Sequence, residues 1–198
     1  MLSKKTFILA AILMLTLLRI ASGQAQKADK VVKVGNPVVD LETTMGTIKV
    51  ELFAAKAPIT VKNFLAYVNT GFYNNTIIHR VDANFVIQGG GYTAELAPKP
   101  TLPPIQNESK NGLKNLKGTL SMARYTDPNS ATSQFFINLN NNSNLDPTPS
   151  DAGYAVFGKV IGGMDVVEKI GAVKTAAKGV FTTLPAQTIL IKTAKVVP

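Results

Sequence analysis

The chain has no cysteine among its 198 residues. That excludes a disulfide framework, a thiolate nucleophile, a thiolate zinc site and lipid attachment through an N-terminal cysteine. A domain without such staples relies on its core. Histidine is almost as scarce, with His79 alone in the sequence, and the acidic residues are scattered from Asp29 to Glu168. No transition-metal site and no cofactor is expected from that distribution. Ser121 and Ser133 lie in strand-like segments without a nucleophile elbow, so His79 reads as a structural histidine and not as a general base. Gly89-Gly90-Gly91 lacks the lysine and hydroxyl residue that complete a phosphate loop, and reads as a tight strand exit.

Blocks of like charge are missing too. The formal charge is +9, yet Lys110, Lys114, Lys117, Lys174 and Lys178 are spread through the chain. A solvated basic surface follows, with no nucleic-acid partner expected. The apolar run Phe7 to Leu18 is shorter than the roughly 20 residues of a membrane span. Lys4 and Lys5 precede that run and Ala21, Ser22, Gly23 and Ala25 follow it, the layout of a secretory signal peptide. Residues 1–23 are therefore expected to direct export, with cleavage after Gly23 or Ala25. Residues 24–37 are polar, lysine-bearing and aperiodic, and read as a flexible arm. What remains, 38–198, suits one domain with a sizeable core.

Within it, Val39 to Thr43 and Thr47 to Leu52 alternate apolar and polar around Thr44-Met45-Gly46, which predicts an antiparallel pair with a glycine-containing turn. Ala57 to Asn69 carries a proline in its first turn, apolar residues at 61, 64, 65 and 68, and Gly71 just beyond, the marks of an amphipathic helix. Tyr73 to Val81, Asn84 to Gly89, Gly118 to Ala123, Gln134 to Asn138, Tyr154 to Val160 and Thr188 to Val197 read as strands. Met164 to Ile170 reads as a second helix. Ala94 to Asn115, with four prolines, is an extended excursion, and Asn138 to Asn144 a loop. About eight short strands without βαβ alternation point to a mainly β barrel or sandwich.

The densest chemistry lies in Ile78-His-Arg-Val-Asp-Ala-Asn-Phe-Val-Ile-Gln-Gly-Gly-Gly91, read with Ser133-Gln-Phe-Phe-Ile137. It assembles an arginine, two glutamines and two phenylalanines, but no nucleophile or acid–base pair. With Gly46 to Leu52, Ala57-Pro58, Asn63-Phe64, Asn107, Gly118 to Ala123, Ser130 to Asn138 and Tyr154 to Val160 in the same order, the chain resembles the cyclophilins, the peptidyl-prolyl cis/trans isomerases. The likeness is greatest to their exported bacterial type, and runs from about Val38 to Ile170 and more loosely to Val197. It implies a closed eight-stranded antiparallel barrel capped by two α-helices.

It also implies an enzyme whose catalytic arginine is Arg80. Phe85, Val86, Phe136 and Leu145 correspond to the family's proline pocket, Gln88 and Gln134 to its paired glutamines. Ala123, Arg124 and Tyr125 correspond to the edge that meets the peptide before the proline. Val86 replaces a frequent methionine, Tyr154 a frequent histidine, and Asn144 a frequent large aromatic at the rim, so weak or no binding of cyclosporin-like macrocycles is expected. The implied partners are proline-containing segments of unfolded or partly folded exported proteins, met by a monomer in the periplasm or outside the cell. The rival reading is a peptide-binding chaperone module in which catalysis is incidental.

Overall fold

The structure, a computed structural model, describes residues 35–197. The expected signal peptide and the arm, apart from residues 35–37, lie outside the described residues. The described residues form strands β1 (Val38–Thr43), β2 (Gly46–Leu52), β3 (Thr76–Asp82), β4 (Val86–Thr93), β5 (Thr119–Met122), β6 (Phe135–Asn138), β7 (Val156–Gly162), β8 (Thr175–Lys178), β9 (Phe181–Pro185) and β10 (Leu190–Val197). Helix α1 spans Pro58–Asn69 and α2 spans Met164–Gly171. Eight strands close an antiparallel barrel in the order β1-β10-β3-β4-β6-β5-β7-β2. The barrel and its two helices agree with the expected architecture.

Alternation explains the closure. Val39 and Leu41 of β1 and Ile48, Val50 and Leu52 of β2 are all buried, while the residues between them are more exposed. Repeated around eight strands, that pattern gives one apolar lumen and no open sheet edge. Between β1 and β2 the chain turns on Thr43, whose hydroxyl donates to the Gly46 carbonyl (2.6 Å) and accepts from the Met45 amide (3.0 Å). Gly46 has φ +130°, and a Cβ there would stand 2.7 Å from Val166 of α2. Only glycine suits both demands.

Helix α1 begins at a proline, and Ala57 before it offers no side-chain cap. The unpaired amides are met instead by Glu108, which accepts from Ile59 N (3.1 Å) and Thr60 N (2.8 Å). A carboxylate at a helix N-terminus satisfies those donors and the positive end of the helix dipole. The excursion between β4 and β5 thus ties down the helix. On its inner face α1 buries Val61, Phe64, Tyr67 and Val68. Phe64 packs against Tyr73, Phe135 and Phe157 at ring separations of 5.1–5.4 Å. Full burial of such a ring is worth about 2–3 kcal/mol.

Four expectations are corrected. Strand β3 begins at Thr76, not Tyr73, because Asn75 adopts φ +60° and Thr76 N closes a turn onto the Tyr73 carbonyl. Strand β7 begins at Val156, and residue 154 lies before it. The three glycines do not end β4, which runs through them to Thr93. They are small because neighbours cross there: a Cβ on Gly90 would meet Tyr73 at 2.8 Å, and one on Gly91 would meet Gln134 Cγ at 2.6 Å. Finally, β8 and β9 form a separate two-stranded hairpin beyond α2, in a stretch to which alternation assigned nothing. Among the described residues no helix is long and apolar enough to cross a membrane.

Candidate active site

Strands β3, β4, β6 and β5 lie side by side, and their register places Arg80 opposite Gln88, Gln88 opposite Phe136 and Phe136 opposite Ser121. Residues directly opposite in an antiparallel pair share a face. These side chains therefore stand together on the outside of the barrel, while Ile87, Phe135 and Ile137 point inward and are almost fully buried. The adjacent phenylalanines divide accordingly. Phe135 joins Phe64 and Tyr73 in the core, and Phe136 packs edge-on against Tyr154 with ring centres 5.6 Å apart.

Arg80 is held without being consumed. Its Nη1 donates to Gln88 Oε1 (3.3 Å) and its Nη2 to Asp82 Oδ2 (3.0 Å). Gln88 Nε2 in turn donates to Gln134 Oε1 (3.0 Å). The side chain of Arg80 remains 39% exposed, with that of Asp82 at 43%. An ion pair so open to water is weak, about 0–1 kcal/mol, so it orients the guanidinium without neutralising its donors. Its carbon lies 5.7 Å from the centre of the Phe85 ring. The space that Gly91 leaves empty is where Gln134 runs, which is what a glycine there achieves.

On one side of Arg80 lies an apolar patch. Phe136 and Val86 are buried, and Phe85, Leu145 and Tyr154 half-buried. Arg124 roofs Tyr154, its guanidinium 4.7 Å from the ring centre, and is pinned by the Gly153 carbonyl (3.0 Å) and Asp151 (3.0 Å). The rim segment is anchored from below. Asn142 donates to Phe85 O (2.9 Å) and to Asn138 Oδ1 (2.7 Å), while Asn115 takes Asp146 (2.8 Å), Leu145 O (3.1 Å) and Ser121 Oγ (2.7 Å) as partners. The asparagine-rich stretch is thus a fastened turn, with Asn138 ending β6 and Ser143–Leu145 forming a 3-10 turn that leaves Asn144 exposed.

On the other side lies a cleft of about 230 Å³, walled by Arg80, Gln88, Gln134 and the Ala123–Arg124–Tyr125 edge. The structure therefore brings Arg80, Gln88, Gln134, Phe85, Phe136, Tyr154 and the Ala123–Tyr125 edge together, while Asn144 stands exposed in the 3-10 turn. It adds some that the sequence did not single out: Tyr92, Ser130 and Thr132, and Val180, Phe181, Thr182 and Thr183 from the β8–β9 hairpin. Gly179, just before Val180-Phe-Thr-Thr183, was the available hairpin signal, but Thr175-Ala-Ala-Lys178 on its other side is poor in strand-forming residues. His79 lines this cleft from below, only 5% exposed, packed edge-on against Tyr92 (4.8 Å) and Phe181 (5.9 Å). Burial first, and the charge of Arg80 second, push its pKa down to about 4, so it is neutral near pH 7. Among the described residues no three His, Asp or Glu side chains converge as metal ligands would.

The arrangement offers a fixed cationic donor beside an apolar patch and a groove edge. Residues 38–196 match the family model described as cyclophilin type peptidyl-prolyl cis-trans isomerase/CLD. A peptidyl-prolyl cis-trans isomerase of Acinetobacter baylyi is 53% identical over 79% of this chain and 83% of its own length. Peptidyl-prolyl cis-trans isomerase A of Dickeya dadantii is 51% identical over the same shares. Among solved structures, a cyclophilin-type isomerase of Cryptosporidium parvum superposes with a TM-score of 0.69 at 29% identity, covering 82% of this chain and 98% of that one. The same protein was also solved in the presence of the dipeptide Ala-Pro, at a TM-score of 0.68.

Proposed function

The chain belongs to the cyclophilin-type peptidyl-prolyl cis-trans isomerases, and we propose that it performs that reaction with Arg80 as the electrostatic catalyst, on proline-containing segments of exported proteins. Rotation about an X-Pro bond faces a barrier of about 18–20 kcal/mol because it breaks amide conjugation, and takes tens to hundreds of seconds unaided. Bringing it to milliseconds means removing about 7 kcal/mol. No covalent bond has to break. In the twisted transition state the prolyl nitrogen recovers a basic lone pair, and a donor aimed at it stabilises that state far more than the planar ones. Arg80 suits this because its guanidinium is permanently charged and has donors left after Gln88 and Asp82 are served.

The ring of the substrate proline lies against Phe136, Val86, Phe85, Leu145 and Tyr154, where water cannot supply the hydrogen bond first. Gln88 and Gln134 orient the arginine and the peptide, and the Ala123–Tyr125 edge takes the backbone before the proline. The observation that carries this reading is the placement of a half-exposed Arg80 between that apolar patch and that edge. Replacing Arg80 with Ala is expected to lower kcat/KM about 100-fold or more in a proline-peptide isomerisation assay; unchanged turnover would refute the role.

Export rests on the lysines, apolar run and small residues of positions 1–25. Mass spectrometry of the chain recovered from outside the cytoplasm is expected to find it beginning at Gln24 or Gln26; an intact Met1 would sink the idea. The expected working state is a monomer that binds cyclosporin weakly, since Asn144 offers the rim no large aromatic surface.

A further inference from the structure

We propose that a basic groove built by the connection between β4 and β5 docks an extended acidic segment of the substrate protein, as a second contact away from the reacting bond. The catalytic part of the proposal rests on the isomerase reading of Arg80; the groove itself does not. Residues 94–118 make that connection with no helix or strand of their own. Loops of such length inside a compact domain are uncommon and usually functional. This one is fastened along its course. Asn107 N donates to Asn129 Oδ1 (2.9 Å) and Asn107 Nδ2 to Gly153 O (3.1 Å), the Ser109 hydroxyl donates to Ala152 O, and Asn111 Nδ2 donates to Val156 O (2.9 Å). Its walls are therefore set before a ligand arrives, which lowers the ordering cost of binding.

Two open troughs run along the loop and meet at Ser109 and Lys110. One, of about 510 Å³, is bordered by Lys56, Ile59, Lys110, Pro128 and Asn129. The other, of about 380 Å³, is bordered by Lys110, Leu113, Lys114, Pro147 and Pro149. Their charge is one-sided. Glu108 is the one carboxylate in either lining, and its oxygens are already taken by Ile59 N, Thr60 N and the Thr60 hydroxyl. Elsewhere Lys49, Lys117, Lys159, Lys169 and Lys195 each sit on a carboxylate. Lys56 and Lys110 are exposed and form no ion pair among the described residues, and Lys114 stands 3.5 Å from Asp146. Ile59, 40% exposed, and the prolines add apolar surface between these cations. Carboxylates alternating with apolar side chains complement such a lining.

The occupant is a polypeptide because one turn borders both this groove and the catalytic cleft. Ser130 lines the cleft beside Arg80, while Pro128 and Asn129 line the first trough. A chain held in the cleft by its proline has only to cross that turn to reach the lysines. Two weak contacts joined on one chain raise its affinity without strengthening either.

The test uses the full chain and a fluorescent, proline-free peptide rich in glutamate and leucine, beside a version with glutamine for glutamate. Anisotropy is expected to show the glutamate peptide binding about tenfold or more tightly than the glutamine one, with the advantage shrinking as salt screens the lysines. Lys56→Glu combined with Lys110→Glu is expected to lose that advantage, and kcat/KM on a short Ala-Pro peptide to stay as it was. Lys178→Glu combined with Lys192→Glu makes the same change of charge outside the groove and is expected to leave binding intact. On a longer peptide carrying glutamates remote from its Ala-Pro bond, the groove variant is expected to raise KM severalfold and spare kcat. Equal binding of the two fluorescent peptides, unaltered binding in the groove variant, an equal loss in the Lys178 and Lys192 variant, or an unmoved KM overturns the proposal. If the unaltered protein turns over neither Ala-Pro peptide, the isomerase reading falls and the catalytic part with it, while anisotropy still decides the groove.

Discussion

Two surfaces meet at Arg80, and they are built in different ways. The apolar side, with Phe136, Val86 and Phe85, belongs to strands whose ladders close a barrel, so its geometry is fixed by the same register that makes the core. The opposite side owes its outer wall to a hairpin that pairs with no barrel strand and is held by one aromatic cluster and its own base. Shifting β4 by one residue would turn Gln88 inward and wreck the lumen together with the site. Changing Val180 at the hairpin turn would wreck neither. A molecule arranged this way places its chemistry where folding already demands rigidity.

That contrast is breakable by experiment. Phe136→Ala strikes the barrel side and is expected to have the largest effect, losing stability by about 3 kcal/mol for a buried ring and kcat/KM on proline peptides together. Urea unfolding and an isomerisation assay read the two losses, and a fall in one alone would show that packing and catalysis separate on this side after all. His79, beneath the hairpin side, gives a pH signature. Its pKa is about 4 when folded and about 6.5 when unfolded, so between those values the unfolded chain binds the extra proton. Stability therefore falls as pH drops from about 6.5 towards 4, by up to about 3 kcal/mol, and the loss levels off below. In His79→Gln the part of the slope above pH 5 is expected to vanish; urea unfolding with the same slope as the unaltered protein would exclude burial of a neutral imidazole.

Activity should hold steady where stability begins to slip. Arginine does not titrate in this range, and His79 touches no reacting atom, so kcat/KM is expected to be flat from pH 6 to 8. A bell-shaped profile would point to a titrating catalyst other than Arg80. The smallest effect is at the rim: Asn144→Trp is expected to tighten cyclosporin binding severalfold by titration calorimetry, the gain from a partly buried aromatic.

Much of this was legible along the chain. Arg80, Gln88 and Phe136 were visible because their motifs stand together in the order that resembles the cyclophilins, and the same order carried the barrel. The span of α1 was readable from a proline at its start and a glycine just beyond its end. Glu108 capping α1 was not, since a carboxylate 48 residues away leaves no local trace. Nor was the fastening of the rim by Asn115, Asn138 and Asn142, because asparagines read as loop wherever they fall in sequence. The three glycines misled for a similar reason. A missing side chain signals a turn until one sees Tyr73 and Gln134 occupying the space.

By itself the sequence determined the chemistry available: one arginine beside paired glutamines and phenylalanines, no thiol, one histidine, and alternation that commits the chain to a mainly β barrel or sandwich. Those are properties of residue type and of a period of two, and both are written locally. Only the tertiary structure decided what stands across the arginine from the proline patch. The β8–β9 hairpin lies about a hundred residues from Arg80 in sequence, and its place beside β3 follows from side-chain packing between distant segments, which no local pattern encodes.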